Sequence, residues 1–510
     1  MKAKFTSLLL VLCVMTLCAC GGELPEDHVA PVLNGLDTVR IDRETETFNV
    51  LDGVTAIDKD DQGNESNLSD SIKVIAPAGV NVNDGIAEFR QAGDYIFTYY
   101  VKDDKGNDAV VNRKVEVRNI YNCYWMSATL PVLYCALDMV ANDYKSMLVF
   151  TRKDTLNIDE MDDERFILKV NGAGQEDLHE AWRMVGRIAY EDEYSYFRVF
   201  LTDIYSQSEM FSFMRYKIPA SRYEVKLVSD GSATYGGVGF PYRADGSYTR
   251  WAGDFKFYNN VIDKALKGEF GTDPETGLAT ITHDSYVVTS GYTEWPLNRM
   301  GIMAAQRDNV EMWCAYPETL RSDDALVQAE IDKAHMPKMA PNVMYDRLTD
   351  VQKQKFLKLC NFDKETFDKE YFDKDGEYLI ITGTNPFTSN NFTDAEFADL
   401  LEKIIADYDG YNILYKPHPS AVEPGDDLPL VKSVLQNNDV KILPGRLPME
   451  VITWVYGDAK IGGFDSSLFM SVPQGNTCFF IAPNANSLSQ VSKWLYDEGS
   501  FGQPTFYWKV

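Results

Sequence analysis

The chain has 510 residues, 45% of them hydrophobic and 13% aromatic, with a formal net charge of −28. The length excludes a single core and sets an expectation of two to four domains, and the composition excludes a disordered chain. The charge excludes a nucleic-acid partner, because phosphate backbones are held by an excess of Lys and Arg; an anionic ligand would need a locally basic pocket.

At the N-terminus, Lys2 and Lys4 precede an apolar stretch over residues 5–17. It is too short to span a bilayer as a mature helix, and it reads as a targeting segment. It ends in Leu17-Cys18-Ala19-Cys20-Gly21, which resembles a bacterial lipobox with Cys20 as the lipidated residue. An ordinary signal peptide is the alternative. The acidic run Glu23, Glu26 and Asp27 resembles the surface-export signal of Bacteroidetes lipoproteins. These features imply a signal peptide over 1–20 and a lipid-anchored protein of the bacterial cell envelope, at the outer membrane, on its surface or periplasmic face. No later stretch reaches the roughly 18 apolar residues of a spanning helix.

Five cysteines follow Cys20, namely Cys123, Cys135, Cys314, Cys360 and Cys478. Their scatter implies buried free thiols rather than a disulfide framework or a CxxC metal site. None of His28, His179, His283, His335 and His418 pairs with another His or Cys at metal-ligand spacing.

Residues 28–118 read as a small all-β module. Thr38–Ile41, Ile72–Val74 and Tyr95–Val101 are strand-like, and Asp52-Gly53, Gly93-Asp94 and Lys105-Gly106-Asn107 supply turns. Short strands at this spacing predict a sandwich. The Gly-Asp-Tyr, strand, Asp-Lys-Gly-Asn order resembles bacterial Ig-like domains. Asp58, Asp60 and Asp61 are acidic, but no bidentate Glu follows at the last EF-hand position, so an acidic loop is expected rather than a calcium site.

The texture changes near Tyr121. Leu130–Ala141 predicts a helix, and Ser146–Phe150 and Glu224–Val228 predict strands. Residues 232–350, rich in Tyr, Trp and Gly, show no clear period. The last third is legible. Tyr378–Ile381 is a continuous apolar run, as in a strand covered on both faces. Thr393 and Glu396 form a capping box ahead of the stripe Phe397, Leu400, Leu401, Ile404 and Ile405. Strands follow at Asn412–Tyr415, Val440–Leu443, Ala459–Ile461 and Thr477–Ile481, with helices at Pro448–Tyr456 and from Ser466. This alternation predicts a parallel doubly wound sheet, which takes ligands outside the carboxyl ends of its strands.

Candidate chemistry gathers at those ends. Lys416-Pro417-His418-Pro419 puts a cation and a titratable imidazole at one strand end, suited to holding and protonating a phosphate leaving group. A structural histidine is the alternative. Gly462-Gly463-Phe464-Asp465-Ser466-Ser467 brings two hydroxyls to a predicted helix start, where free N–H groups favour an anion; a plain serine N-cap is the alternative. Asp230 follows a predicted strand and reads either as an Asp-Gly turn or as a general base.

An ordered set of segments over residues 122–510 resembles the bacterial sialyltransferases of glycosyltransferase family 80. The set comprises Ala128-Thr129-Leu130-Pro131, Gly186-Arg187-Ile188, Ser229-Asp230-Gly231-Ser232-Ala233, Cys360-Asn361-Phe362-Asp363-Lys364, Thr382-Gly383-Thr384, Lys416-Pro417-His418-Pro419, Leu447-Pro448-Met449-Glu450-Val451 and Ser466-Ser467-Leu468-Phe469. The resemblance implies an α/β GT-B fold, two Rossmann-like domains facing a cleft, behind the all-β Ig-like sandwich. The domains would be an acceptor-side one at 122–375 and a CMP-sugar-binding one at 376–510, with the last residues packing back on the first.

The implied reaction is inverting transfer of sialic acid from CMP-sialic acid to a galactoside-type hydroxyl, without a metal or other cofactor. By resemblance Asp230 is the general base and His418 the acid. Ser466 and Ser467 hold the phosphate, Glu450 takes the ribose, and Lys416 and Pro417 line the nucleotide pocket over a floor of Gly383 and Thr384. Arg187 lies near the donor carboxylate or the acceptor, and Phe387 stands where the family has an acceptor-stacking Trp. Ser229 replaces the first acidic residue of the family's usual pair, and Pro417 replaces a usual glycine. No counterpart is found for a donor-contacting histidine between Arg187 and Asp230. Another CMP-nonulosonic acid as donor, and a non-catalytic glycan-binding lipoprotein, are the alternative readings.

Overall fold

The computed structural model describes residues 29–509, apart from 61–62, 152–154, 162–163, 204–217, 232, 268–270, 273–278, 281–299, 384–391, 419–427 and 474. The signal segment with Cys20, and also Thr384 and Phe387, therefore lie outside the described residues. The chain divides into two compact units, residues 1–119 and 120–510.

The described part of the first unit is built from short strands and one 3-10 turn, Ser69–Ser71. Gly93–Lys102 pairs antiparallel with Lys73–Ile75 and with the start of Asp108–Met126, which also takes Val39–Asp42 in parallel. Alternation along Gly93–Lys102 buries Phe97, Tyr99 and Val101. Phe97 and Tyr99 pack with Phe48, Val50, Val54, Val115 and Val117, and the Tyr99 hydroxyl donates to the Val50 carbonyl at 2.6 Å. The predicted strands stand within one residue or two of their expected bounds.

The second unit holds two sheets of one topology. In the first, β1 (Asp108–Met126, through its last residues), β2 (Lys145–Phe150), β3 (Phe166–Asn171), β4 (Ser195–Thr202), β5 (Tyr223–Val228) and β6 (Val310–Trp313) lie in the order β3-β2-β1-β4-β5-β6. The second sheet consists of β7 (Tyr378–Thr382), β8 (Asn412–Lys416), β9 (Lys441–Ile442), β10 (Lys460–Phe464), β11 (Thr477–Ala482) and β12 (Thr505–Trp508). Its order is β9-β8-β7-β10-β11-β12, with all pairs parallel. Each sheet reverses its winding beside its first strand, between β1 and β4 and between β7 and β10. Such switch points open a crevice at the carboxyl ends of the strands.

The helices follow from sequence cues. Helix α1 (Thr129–Ala141) is buried almost all round, as its apolar composition requires. Helix α2 (Gln175–Glu191) sets Trp182 against Trp125, stacked at 4.8 Å. Helix α3 (Asp394–Asp407) starts at the expected Thr393–Glu396 capping box. Helices α4 (Met449–Val455) and α5 (Gln490–Asp497) complete the set used below. One buried cluster runs from Cys123 and Trp125 in the first sheet to Ile461 and Phe480 in the second, so both sheets share a core. No described helix is long and apolar enough to cross a membrane.

One expectation fails. No α-helix starts at Ser466; residues Ser467–Met470 form a single 3-10 turn. Phe469 drives this, packing at 4.6 Å on Phe480 and at 6.4 Å on Phe501, which turns the chain back onto the sheet.

Gly463 fixes the second switch point. Its φ is +149°, and an added Cβ would lie 2.0 Å from Thr382 Oγ1 and 2.3 Å from the Thr382 carbonyl oxygen. We expect Gly463→Ala to cost about 3 kcal/mol or more, from backbone strain and overpacking combined. Gly457→Ala, where nothing lies within 4 Å, should fall within about 0.5 kcal/mol of the parent. Urea unfolding of the two variants checks this ranking.

Candidate functional site

At the edge of the first sheet, β4 ends in Thr202 and Asp203 and β5 leads into Ser229 and Asp230. Gly231, with φ +67°, lets the chain turn sharply after Asp230. The backbone N–H of Asp230 donates to Thr234 Oγ1 at 2.8 Å and to Asp203 Oδ1 at 3.3 Å. Ser229 Oγ lies 3.0 Å from Thr234 Oγ1 and accepts from the Gly231 N–H at 3.2 Å. Asp230 thus stands half-buried at the carboxyl edge of the first sheet, on a turn locked from below. Beside it, Ser127 donates through its N–H to Thr202 Oγ1 at 3.2 Å, across the β1/β4 switch point.

Two of these groups escaped the sequence reading. Asp203 is fully buried under the Asp230 turn. Thr234 opens a turn of π-helix, Thr234–Gly239, a form often found beside functional sites. The signal for Asp203 is the segment Tyr196–Leu201, apolar except for Arg198, followed by Thr-Asp, a strand with polar residues at its carboxyl end.

At the edge of the second sheet, Gly383 follows β7, Lys416-Pro417-His418 closes β8, and Asp465-Ser466 follows β10. Gly383 donates its N–H to the Lys416 carbonyl at 2.9 Å. No larger residue fits there, because an added Cβ would meet the Tyr415 hydroxyl at 2.2 Å. His418 is exposed at this edge, as is Ser466. With β7 between β8 and β10, the two lie about 10 Å apart at normal strand spacing. Ser466 Oγ accepts from the Leu468 N–H at 3.2 Å, the N-cap role given above as the alternative. Its O–H remains able to donate to a ligand. With one turn behind it, there is no macrodipole to add. Ser467 opens that turn.

Lys416 departs from expectation. It is 3% exposed, and its ammonium donates to the carbonyls of Pro417 at 3.0 Å and Gly445 at 2.9 Å. Burial pushes its pKa down to about 8, against an upward pull from Glu450. It is thus a staple between the β8 and β9 loops, not a cation presented to solvent, and it holds Pro417, itself buried, in place. Glu450, in the first turn of α4, is half-buried and close enough to Lys416 to influence it.

Arg187 is not brought to either edge. It is exposed in α2, whose start follows the carboxyl end of β3. Arg187 lies twelve residues on, about 18 Å along the helix axis, toward the opposite side of the sheet.

The two edges meet on helix α5. Asp465 Oδ2 accepts from the Ser489 N–H at 3.0 Å, and Asp465 Oδ1 accepts from the Ser492 hydroxyl. Val491, between those serines, lies 2.9 Å from where a Cβ on Gly236 would be. The loop bearing Ser466 and the Asp230-side π-turn therefore rest on one turn of the same helix. Among the described residues, no group of His, Cys, Asp and Glu is arranged to hold a metal ion.

Residues 333–503 match the family model described as Sialyltransferase PMO188. No curated protein matches the chain. Among solved structures, it is similar to an alpha/beta-galactoside alpha-2,3-sialyltransferase from Photobacterium phosphoreum, with TM-score 0.55 and 14% identity over 76% of this chain and 98% of that one. It is also similar to a sialyltransferase from Photobacterium damsela, with TM-score 0.55 and 15% identity over 92% and 100%. A third is the 2,6-sialyltransferase of Photobacterium sp. JT-ISH-224, solved with CMP and lactose, with TM-score 0.52 and 14% identity over 92% and 95%. A fourth neighbour, TM-score 0.51, is described as a GT-B domain. These likenesses establish a GT-B fold for the second unit, and with the family match they support a glycosyltransferase enzyme.

The Lys416 staple generates a pH prediction. The unfolded chain keeps this proton up to about 10.5, whereas the folded chain releases it near 8. The unfolded state binds more protons in that window, so wild type gains stability as pH rises from 8 to 10.5. Lys416→Met should remove that gain. Subtracting the variant's urea-unfolding free energy from that of wild type across the window checks the sign.

Proposed function

We propose that the chain is an inverting sialyltransferase acting on CMP-sialic acid and a galactoside-type acceptor. Asp230 takes the proton of the acceptor hydroxyl as its oxygen attacks the anomeric carbon. The bond from that carbon to the phosphate oxygen breaks on the opposite face. His418 gives a proton to the departing phosphate, while Ser466 and Ser467 donate hydrogen bonds to it. Glu450 accepts from the ribose, and Gly383 and Thr384 floor the nucleotide pocket. Phosphate is a good leaving group, so fixed dipoles and one proton suffice and no metal is invoked.

The observation that carries the reading is the shared turn of α5. It brings the loop after Asp230, one strand from the β1/β4 switch point, and the loop bearing Ser466, at the β7/β10 switch point, onto one helix. Acid and base would thus come from different sheets, an arrangement that suits attack and departure on opposite faces of the anomeric carbon. The proposal extends to a lipid on Cys20, anchoring the enzyme in the cell envelope, and to the first unit as an Ig-like spacer.

Asp230→Ala and His418→Ala should each lower turnover by about 10²–10⁴, the span for one acid–base group, without a change in unfolding midpoint. CMP release from CMP-sialic acid, with and without lactose, is the assay. Near-wild-type rates in both variants would reject the roles. Glycan binding by wild type without any CMP release would favour the non-catalytic reading, and release only from another CMP-nonulosonic acid would correct the donor.

A further inference from the structure

We infer that helix α5 is the strut that sets the separation of acid and base, and that Asp465 is a positioning residue acting through it. The inference rests on the reading of Asp230, His418 and Ser466 given above, and adds the part that holds them in register.

The strut has two attachments. On the donor side, Asp465 immediately precedes Ser466. Its carboxylate accepts from the Ser489 N–H at 3.0 Å and from the Ser492 hydroxyl. Ser489 is also the N-cap of α5, its Oγ accepting from the Ser492 N–H at 3.0 Å and donating to Ser492 Oγ at 2.8 Å. A charged acceptor on two donors of one helical cap makes a stiff joint, since charge-assisted hydrogen bonds are the stronger class.

On the acceptor side, α5 lies against the π-turn that begins at Thr234, the residue gripping the Asp230 N–H. Glycines permit the approach: a Cβ on Gly236 would sit 2.9 Å from Val491, and one on Gly239 would sit 3.5 Å from Trp494 and 2.6 Å from Leu320. Arg243 stacks over the Trp494 ring at 5.0 Å and donates to Glu498 at 3.0 Å, where Arg321 also binds at 2.5 Å. An eight-residue helix thus holds the loop bearing Ser466 at its N-cap and lies along the segment behind the base from Val491 to Glu498.

Positioning errors of about 1 Å can cost about 100-fold in rate, so a joint at this point has kinetic weight that its size does not suggest. Loosening it leaves each binding loop intact while changing the distance between them. The expected signature is a lower kcat with a nearly unchanged KM for the donor. Hydrolysis of the donor should rise relative to transfer, as water gains entry.

Asp465→Ala, Ser489→Ala/Ser492→Ala and the triple variant test this. We expect Asp465→Ala to lower kcat by about 10- to 100-fold, with donor KM within about threefold. The serine pair should give a similar loss and the triple variant no further one, because all three break a single joint. Asp465→Asn, which keeps one acceptor oxygen, should recover part of the rate. A second readout does not need turnover. Spin labels at Tyr190→Cys and Gly410→Cys, exposed sites on helix α2 and at the second sheet, report the inter-sheet distance. That distribution should be narrow in the parent and broad in the Asp465→Ala background. Unchanged kcat, additive losses, or an equally narrow distribution would overturn the strut. A narrow distribution that broadens as expected, in a chain that never releases CMP, would leave the strut standing and reject the transferase reading.

Discussion

The second unit depends on a single constraint: two parallel sheets must present their carboxyl edges to one crevice and hold them there. Each sheet alone would expose a polar rim of loop ends, since the switch points force the chain apart between neighbouring strands. A shared buried cluster joins the sheets behind the crevice. At its mouth, α5 joins them again through hydrogen bonds on one side and glycine-permitted packing on the other.

The electrostatics follow an economical scheme. A chain with net charge −28 would be a poor host for an anionic nucleotide sugar unless local groups reversed the field. The obvious cation, Lys416, is occupied with two backbone carbonyls and sits close to Glu450. In the proposed transferase, recognition of a phosphate at this edge is assigned to hydroxyls, backbone N–H groups and the imidazole of His418. Such dipoles are fixed by the fold and need little rearrangement when charge develops on a leaving group. The buried lysine shapes the loop through the Pro417 and Gly445 carbonyls.

Much of this was legible in the residues. The capping box Thr393–Glu396, the apolar run of β7 and the alternation of strand and helix after residue 376 identified the second sheet, because each element there carries its own local signal. The glycines at 462–463 answer to the protein's own packing, against the Phe479 ring and Thr382. The helix expected at Ser466 failed because Phe469 packs inward after a single turn, a tertiary demand that local propensity cannot register. The charge of Lys416 is visible in the sequence, but its burial and its two carbonyl partners are not. Arg187 was placed from a motif whose helix runs away from the edge. Asp203, Thr234 and the Asp465 joint stayed hidden since their partners lie 27, 4 and 24 positions away, and only the fold closes those gaps.

A crystal structure with CMP and lactose bound tests the account most directly. It should place the CMP phosphate within about 3 Å of the Ser466 hydroxyl and the His418 imidazole, with a lactose hydroxyl at hydrogen-bond reach of the Asp230 carboxylate across the crevice. CMP bound away from the β7/β10 switch point, or Asp230 turned from the acceptor with α5 displaced from Gly236, would contradict it.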